Sequence, residues 1–208
     1  MKRLICLFLG CLLLATCLVG CGDDTPEKKY AEGLTYRNLP DGTCAIKDVG
    51  TFEGEILNLP DKSPDGKVIS QIDGYAFENN ATLTEVYFPS GLKVIGPYAF
   101  AGCAGITSLT LPDGLSEIGM YAFSRCTELT QIYLGSSLTV VNDGAFHGCR
   151  SLSYALWRGD SASWKKVDVG SGNSAMTLTG VLYFYSEKAP REEGFFWYYQ
   201  GGAIRIWG

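Results

Sequence analysis

The sequence predicts a β-rich solenoid: parallel strands stacked turn on turn, 23 residues to the turn, with short helical or turn segments on the far side. Three observations predict it. Residues 81–103, 104–126 and 127–149 repeat one pattern, reading ATLTEVYFPSGLKVIGPYAFAGC, AGITSLTLPDGLSEIGMYAFSRC and TELTQIYLGSSLTVVNDGAFHGC. A fixed period of this size marks a stacked architecture, in which no unit buries its apolar side alone. Within each copy, apolar residues two apart (Val86 and Phe88, Leu109 and Leu111, Ile132 and Leu134) alternate as a strand does. Each copy then carries a small residue followed by a large one, Ala99-Phe100, Ala122-Phe123 and Ala145-Phe146, with Ala76-Phe77 upstream.

The chain opens with a segment, 1–20, laid out as a secretory signal. Lys2 and Arg3 precede an apolar run over 4–19. The run closes on Leu18-Val19-Gly20-Cys21, which resembles the bacterial lipobox. That resemblance implies that Cys21 becomes the acylated first residue of the mature protein. A plain secretory signal or a single membrane anchor is the alternative, although the run is short for a spanning helix. Residues 21–32 combine charge, a proline and no apolar periodicity, which suits a flexible tether. Loss of 1–20 removes Lys2 and Arg3 and takes the net charge from −5 to −7. No basic patch tracks phosphates, so nucleic acid is not an expected partner. An anionic membrane would not hold the chain by charge, so the lipid must.

Residues 33–53 read as an N-terminal hairpin cap. Leu34-Thr35-Tyr36-Arg37 and Cys44-Ala45-Ile46-Lys47 alternate on either side of NLPDGT, whose Asp-Gly step is strong turn chemistry. The repeats run over 54–157. An early, looser copy keeps Leu57, Leu59 and Pro60, then carries about six extra residues (61–66) before Ile69. Pro89 and Pro112 end their strands because proline cannot donate to a ladder, and Gly135 stands there in the next copy. Asp73, Gly96, Gly119 and Asn142 share one position, and their types tolerate a left-handed backbone, which is expected there. Phe77, Phe100, Phe123 and Phe146 are expected to stack as a spine over the alanines. Each buried ring contributes about 1.5–3 kcal/mol.

The position after the spine holds Asn80, Cys103, Cys126 and Cys149. They are expected to form a ladder of small buried side chains bonded to the next turn's backbone. A disulfide between adjacent rungs is the alternative, and its geometry is demanding. A strand of Leu152, Ala155 and Trp157 opens one more turn. Residues 158–208 then read as an irregular last repeat and a β-rich cap. Nine aromatics lie between Tyr183 and Trp207, and Gly201-Gly202 sits between two alternating runs as a hairpin turn. These aromatics either plug the end of the solenoid or bind sugar.

At this point the pattern L-x-x-I-x-L-P-x-x-L-x-x-I-G-x-x-A-F-x-x-C resembles the bacterial leucine-rich repeat of BspA-like surface lipoproteins. LTYRNLPDGTCAIKDVGTFEGEILNLP is similar to that family's N-terminal hairpin and first repeat. LYFYSEKAPREEGFFWYYQGGAIRIW is similar to its C-terminal module, and 158–167, with Trp164, to its irregular last repeat. The likeness covers 33–208. It implies a leucine-rich repeat fold, display on the bacterial cell envelope and adhesion to extracellular protein, host matrix included. It assigns no residue to that activity.

Ligand contacts are therefore sought on the outward strand positions. They form two columns: Asn58, Tyr87, Thr110, Tyr133 and Leu156, and Glu85, Ser108, Gln131 and Tyr154. Tyrosine among small polar residues is what adaptable binding surfaces use. Tyr87, Tyr133 and Tyr154, with Glu85 and Gln131, are the candidate contacts. A carbohydrate-binding protein using the C-terminal aromatics, or a structural envelope protein, are the other readings. Catalysis is not expected. The one histidine, His147, sits at a position held by Glu78, Ala101 and Ser124 in other copies. Glu192-Glu193 are adjacent, not a separated acid–base pair. No cysteine pair or phosphate-cradling loop calls for a metal or cofactor.

Overall fold

A computed structural model describes residues 30–177, 181–188, 190, 194–200 and 203–207. The signal, Cys21 and Glu192-Glu193 lie outside the described residues. Each repeat contributes a strand to each of two parallel sheets. The first strands are β3 (Ile56–Asn58), β5 (Glu85–Tyr87), β7 (Ser108–Thr110), β9 (Gln131–Leu134) and β11 (Tyr154–Trp157). The second strands are β4 (Ile69–Ile72), β6 (Val94–Ile95), β8 (Glu117–Ile118), β10 (Val140–Val141) and β12 (Asp168–Val169). This second sheet was hidden in the sequence because its strands after β4 are only two residues long and Leu92–Ile95 carries no visible alternation.

Register follows the period. Leu109 pairs with Ile132, and Ile132 with Ala155. In the second sheet Ile95 pairs with Ile118 and Ile118 with Val141. The extra residues 61–66 leave this register intact. Lys62 and Val68 close them into a small antiparallel loop, and Asp61 Oδ1 accepts from Ser90 N at 2.8 Å and Oγ at 3.0 Å.

The third side of each turn carries the Tyr/Gly-Ala-Phe segment and contains no helix. Its backbone alternates between two kinds of bond. The N–H groups of Tyr98, Phe100 and Gly102 donate to Met120, Ala122 and Ser124 of the next turn, while those of Ala99, Ala101 and Cys103 donate back within their own. Every amide in the segment is thereby paired, as buried backbone must be. Left-handed residues break the right-handed winding and leave alternate N–H groups directed along the axis. They are Tyr75 (φ 63°), Tyr98 (56°), Tyr121 (54°) and Gly144 (61°), and four residues on Asn79 (57°), Gly102 (75°), Arg125 (58°) and Gly148 (77°).

The left-handed positions are therefore not Asp73, Gly96, Gly119 and Asn142, which corrects the sequence expectation. Gly96 and Gly119 serve close approach instead. A Cβ on Gly119 would stand 2.6 Å from the carbonyl carbon of Gly96, and one on Gly96 would stand 2.6 Å from Gly74 N. Asn142 uses its side chain, donating to Glu117 Oε1 at 3.0 Å and to Ile118 O at 3.2 Å.

Inside, Phe77, Phe100, Phe123 and Phe146 stack with centroids 4.9, 5.4 and 5.4 Å apart. Ala76, Ala99, Ala122 and Ala145 are buried beside them. Both ends are closed. β1 (Thr35–Asn38) and β2 (Cys44–Asp48) form an antiparallel hairpin, and β2 lies parallel to β4. Arg37 fastens the hairpin to the first turn with two bonds to Asp73, at 2.8 and 2.7 Å.

At the other end, α1 (Ser161–Trp164) is capped by Asp160, and α2 (Ser174–Thr177) buries Met176. Asn173, 3% exposed, stands in for the missing next turn. Its Oδ1 accepts from Phe146 N at 3.1 Å, whereas Phe123 N finds a backbone carbonyl, that of Ala145. Asn173 Nδ2 donates to Asn142 O and Gly170 O, both at 2.9 Å.

Phe123→Ala should lower stability by about 3–5 kcal/mol, read as a shifted denaturant midpoint, because the neighbouring rings cannot close the gap. Gly119→Ala should cost about 1–3 kcal/mol through overpacking, whereas a position chosen only for left-handed φ would tolerate the methyl without clash against Gly96.

Candidate functional site

The first sheet continues past the repeats. β13 (Leu182–Tyr185) lies parallel to β11, β14 (Phe196–Gln200) parallel to β13, and β15 (Ala203–Ile206) closes antiparallel on β14. Register aligns the two outward columns. Asn58 stands beside Tyr87, then Thr110, Tyr133, Leu156 and Tyr183. Ile56 stands beside Glu85, and Ser108 beside Gln131 and Tyr154.

Beyond β9 the C-terminal strands cover part of the outward face, and this decides which outward residues are free. Trp197 of β14, three strands on from β9, meets Tyr133 edge-on with ring centroids 5.5 Å apart. Tyr133, Leu156, Tyr183, Trp197 and Ile204 form a second small core on the outward face. Trp197 Nε1 donates to Trp157 O at 2.9 Å, tying the module to the last repeat.

Tyr133 (7% exposed) and Gln131 (8%) are consequently buried, so neither is an open ligand contact as the sequence reading had them. Burial first, then the hydrogen bond with Tyr199 and the charge of Asp113, hold the Tyr133 phenol well above its usual range. Asn58 and Leu156 are buried as well. Tyr87 remains open at 46%, and Glu85 and Tyr154 are half-buried. Tyr87 Oη donates to Glu85 Oε2 at 2.8 Å, which fixes the ring in place. Ile56, Ser108 and Thr110 are exposed around it. Tyr199 and Phe195, at the C-terminal end of the same sheet, are also exposed, and Arg158 pairs with Asp113. Sequence pattern had not singled out Ile56, Tyr199 or this ion pair, because exposure and pairing between distant turns are not written in the period.

The ladder position behaves differently along its length. Cys103 Sγ donates to Phe77 O at 3.1 Å, Cys126 Sγ to Phe100 O at 3.4 Å, and Cys149 Sγ to Phe123 O at 3.1 Å. Each bond runs back to the preceding turn, not on to the next as the sequence reading expected. Asn80 stays within its own turn, its Oδ1 accepting from Thr82 Oγ1 at 2.7 Å. Cys44, Cys103, Cys126 and Cys149 are all free thiols and all buried, so the disulfide alternative is absent among the described residues. Burial pushes the Cys103 thiol up to about 12. Contact with Cys149 and burial push Cys126 up too. Among the described residues no cluster of three or more His, Cys, Asp or Glu could hold a metal.

Residues 63–161 match six copies of the BspA type leucine rich repeat. The repeats are of the BspA leucine-rich type. Solved structures agree on the fold. A leucine rich cell surface protein of Faecalibacterium prausnitzii is 21% identical with a TM-score of 0.51, covering 66% of this chain and 41% of its own. A leucine-rich repeat protein of Bacteroides ovatus is 20% identical with a TM-score of 0.53, covering 78% of this chain and 48% of its own. The chain thus spans less than half the length of either. No curated protein matches the sequence. A BspA-type solenoid is a repeat-based scaffold for protein interaction.

The thiols give a pH signature. In the unfolded chain Cys103 ionises near its ordinary value, about 8.5, while in the folded chain it stays protonated to about 12. The unfolded state therefore sheds protons first, and stability falls as pH rises across that window. Chemical denaturation in this range should show the decline, and Cys103→Ala should flatten it. In the native protein a thiol reagent should find no fast-reacting group among these four, whereas in denaturant all four should titrate.

Proposed function

We propose that this protein is a non-catalytic, lipid-anchored surface module that binds an extracellular protein partner on the outward face of the first sheet, through Tyr87 and Tyr199. One observation carries the reading: three large apolar or aromatic side chains, Ile56, Tyr87 and Tyr199, are 46–54% exposed on strands of one sheet, and Phe195, 41% exposed, immediately precedes β14. Exposed aromatics with small hydroxyl residues on the same sheet are the usual anatomy of an interaction surface. Tyrosine provides rigid contact area with a polar tip at low entropic cost. The open patch is small, which favours weak single contacts multiplied over many anchored copies.

Several features support the remaining parts of the proposal. Cys21 would carry the lipid, residues 21–32 would hold the solenoid off the membrane, and the partner would be met outside the bacterial cell. The described residues contain no helix long and apolar enough to cross a membrane. The C-terminal aromatics support an end cap over a sugar platform, because their faces are largely used on one another. Tyr198 stacks on Trp207 at 4.2 Å, and Trp197 contacts Tyr133, Tyr185 and Tyr199.

Adhesion of intact cells and of purified mature protein to immobilised matrix proteins tests the surface. Tyr87→Ala combined with Tyr199→Ala should keep the native circular dichroism spectrum and weaken adhesion roughly tenfold or more. Retained adhesion would remove the proposal. Cys21→Ala should abolish incorporation of labelled palmitate and release the protein from the membrane fraction; continued labelling would disprove the anchor.

A further inference from the structure

The third side of the solenoid, away from both sheets, carries a groove of about 360 Å³. Its floor is Ala101-Gly102, the smallest pair at that position in any turn. Glu78 and Asn79 of the preceding turn form one wall; Ser124 and Arg125 of the following turn form the other, with His147 beyond them. The groove exists because one turn steps down between two larger neighbours.

Three features mark it as more than a gap. First, Glu78 and Arg125 are exposed on opposite walls, and neither belongs to an ion pair among the described residues. A carboxylate and a guanidinium thus flank the cavity with their charges unspent. Second, Arg125 holds φ 58° at a place where the adjacent turns use Gly102 and Gly148, at 75° and 77°. A side chain in that conformation costs stability that glycine does not, so a guanidinium is kept here against the local backbone preference. Third, the aromatic side of the groove is rigid. Tyr75, Tyr98 and Tyr121 stack with centroids 5.1 and 5.2 Å apart, and His147 meets Tyr121 edge-on at 6.1 Å.

The stacking also limits the ligand. Both faces of Tyr98 are covered by its neighbours, so the groove offers ring edges and phenol hydroxyls, not an open aromatic face. A neutral sugar would lack the ring-face stacking that usually anchors it, and a purely apolar ligand would meet a carboxylate and a guanidinium. An anionic, hydroxyl-rich ligand meets the groups present. Its carboxylate faces Arg125 and His147. Its hydroxyls face the acceptor oxygens of Glu78 and the mixed donors and acceptors of Asn79, Ser124 and the tyrosines.

We propose that this groove is a binding site for a carboxylated sugar, a uronate or sialate residue of a glycan. It is separate from the concave strand face. The protein would thus present two surfaces, one for protein and one for acidic glycan.

The test uses the purified full mature protein with oligogalacturonate and sialyllactose as probes. Cellotetraose and lactose are the neutral counterparts, and an oligoglutamate peptide is the charge control. Calorimetry measures affinity. The ring-proton signals of His147, the only histidine in the chain, report on the groove directly. At least one acidic sugar should bind and move those signals, with the neutral sugars and the peptide at least roughly tenfold weaker. Arg125→Gly restores the residue the adjacent turns carry, so it should leave the melting temperature equal or higher while weakening the acidic sugar roughly tenfold or more. Glu78→Gln should weaken it less. Failure of both acidic sugars to bind, equal binding of neutral sugar or peptide, or full affinity in Arg125→Gly would each overturn the proposal.

Discussion

The axial hydrogen bond between one turn and the next is the constraint on which everything else depends. A turn of this chain touches only its neighbours, so its backbone must meet theirs at the same step on all three sides. The 23-residue period is that requirement written in sequence. It makes Ile95 face Ile118 in one sheet, Leu109 face Ile132 in the other, and Phe100 N reach Ala122 O on the third side. Once the step is set, identical positions stack by necessity. A spine of phenylalanines follows, as does the absence of a Cβ at Gly119, where the previous turn's backbone passes at 2.6 Å. The thiols belong to the same logic. At Cys103, Cys126 and Cys149 a small side chain reaches back to a phenylalanine carbonyl in a fully buried place.

A repeating stack has no natural end, and its ends shape its function. Phe146 N would face no next-turn carbonyl without Asn173 Oδ1, so an amide side chain imitates backbone there. The first sheet solves the same problem by packing Trp197 of β14 against Tyr133. That closure has a second effect. It buries Tyr133 and Leu156 on the outward face and leaves Tyr199 exposed beside them. The cap thus narrows the open face as it closes the end. Stability at the C-terminal end and the shape of the interaction surface are not independent properties in this protein.

Much of this was legible in the residues, and the boundary of legibility is physical. The phenylalanine spine, both hairpins and the membership of the outward columns follow from periodicity, because period alone decides which residues share a line. Exposure along those lines does not. Tyr87 and Tyr133 occupy equivalent positions, yet one is 46% exposed and the other 7%, because only a distant strand distinguishes them. The glycines misled for a different reason. A glycine answers two needs, a left-handed φ or a close approach, and sequence does not say which. At Gly96 and Gly119 it is approach, while the left-handed residues two places on are Tyr98 and Tyr121, which ordinary backbone preference would not nominate.

That last inversion bears on where function resides. Inside the solenoid each position is constrained by the turn below and the turn above, so variation is costly there. At the corners and at the outward positions of the third side, such as 78–79, 101–102 and 124–125, the backbone is bonded but the side chains do not repeat, and each turn can differ. The extra loop at 61–66 shows the freedom: it closes on itself through Lys62 and Val68 and never disturbs the register of β3 with β5. The step from Glu78-Asn79 to Ala101-Gly102 to Ser124-Arg125 is the same freedom used inward, and it opens a groove without moving a backbone atom out of the stack. An arginine held left-handed in that groove is therefore not demanded by the fold, since Gly102 makes the same axial bond in the turn before it and Gly148 holds the same φ region in the turn after. Residues that the stacking explains specify the structure; residues that stacking would rather replace are the ones with another task.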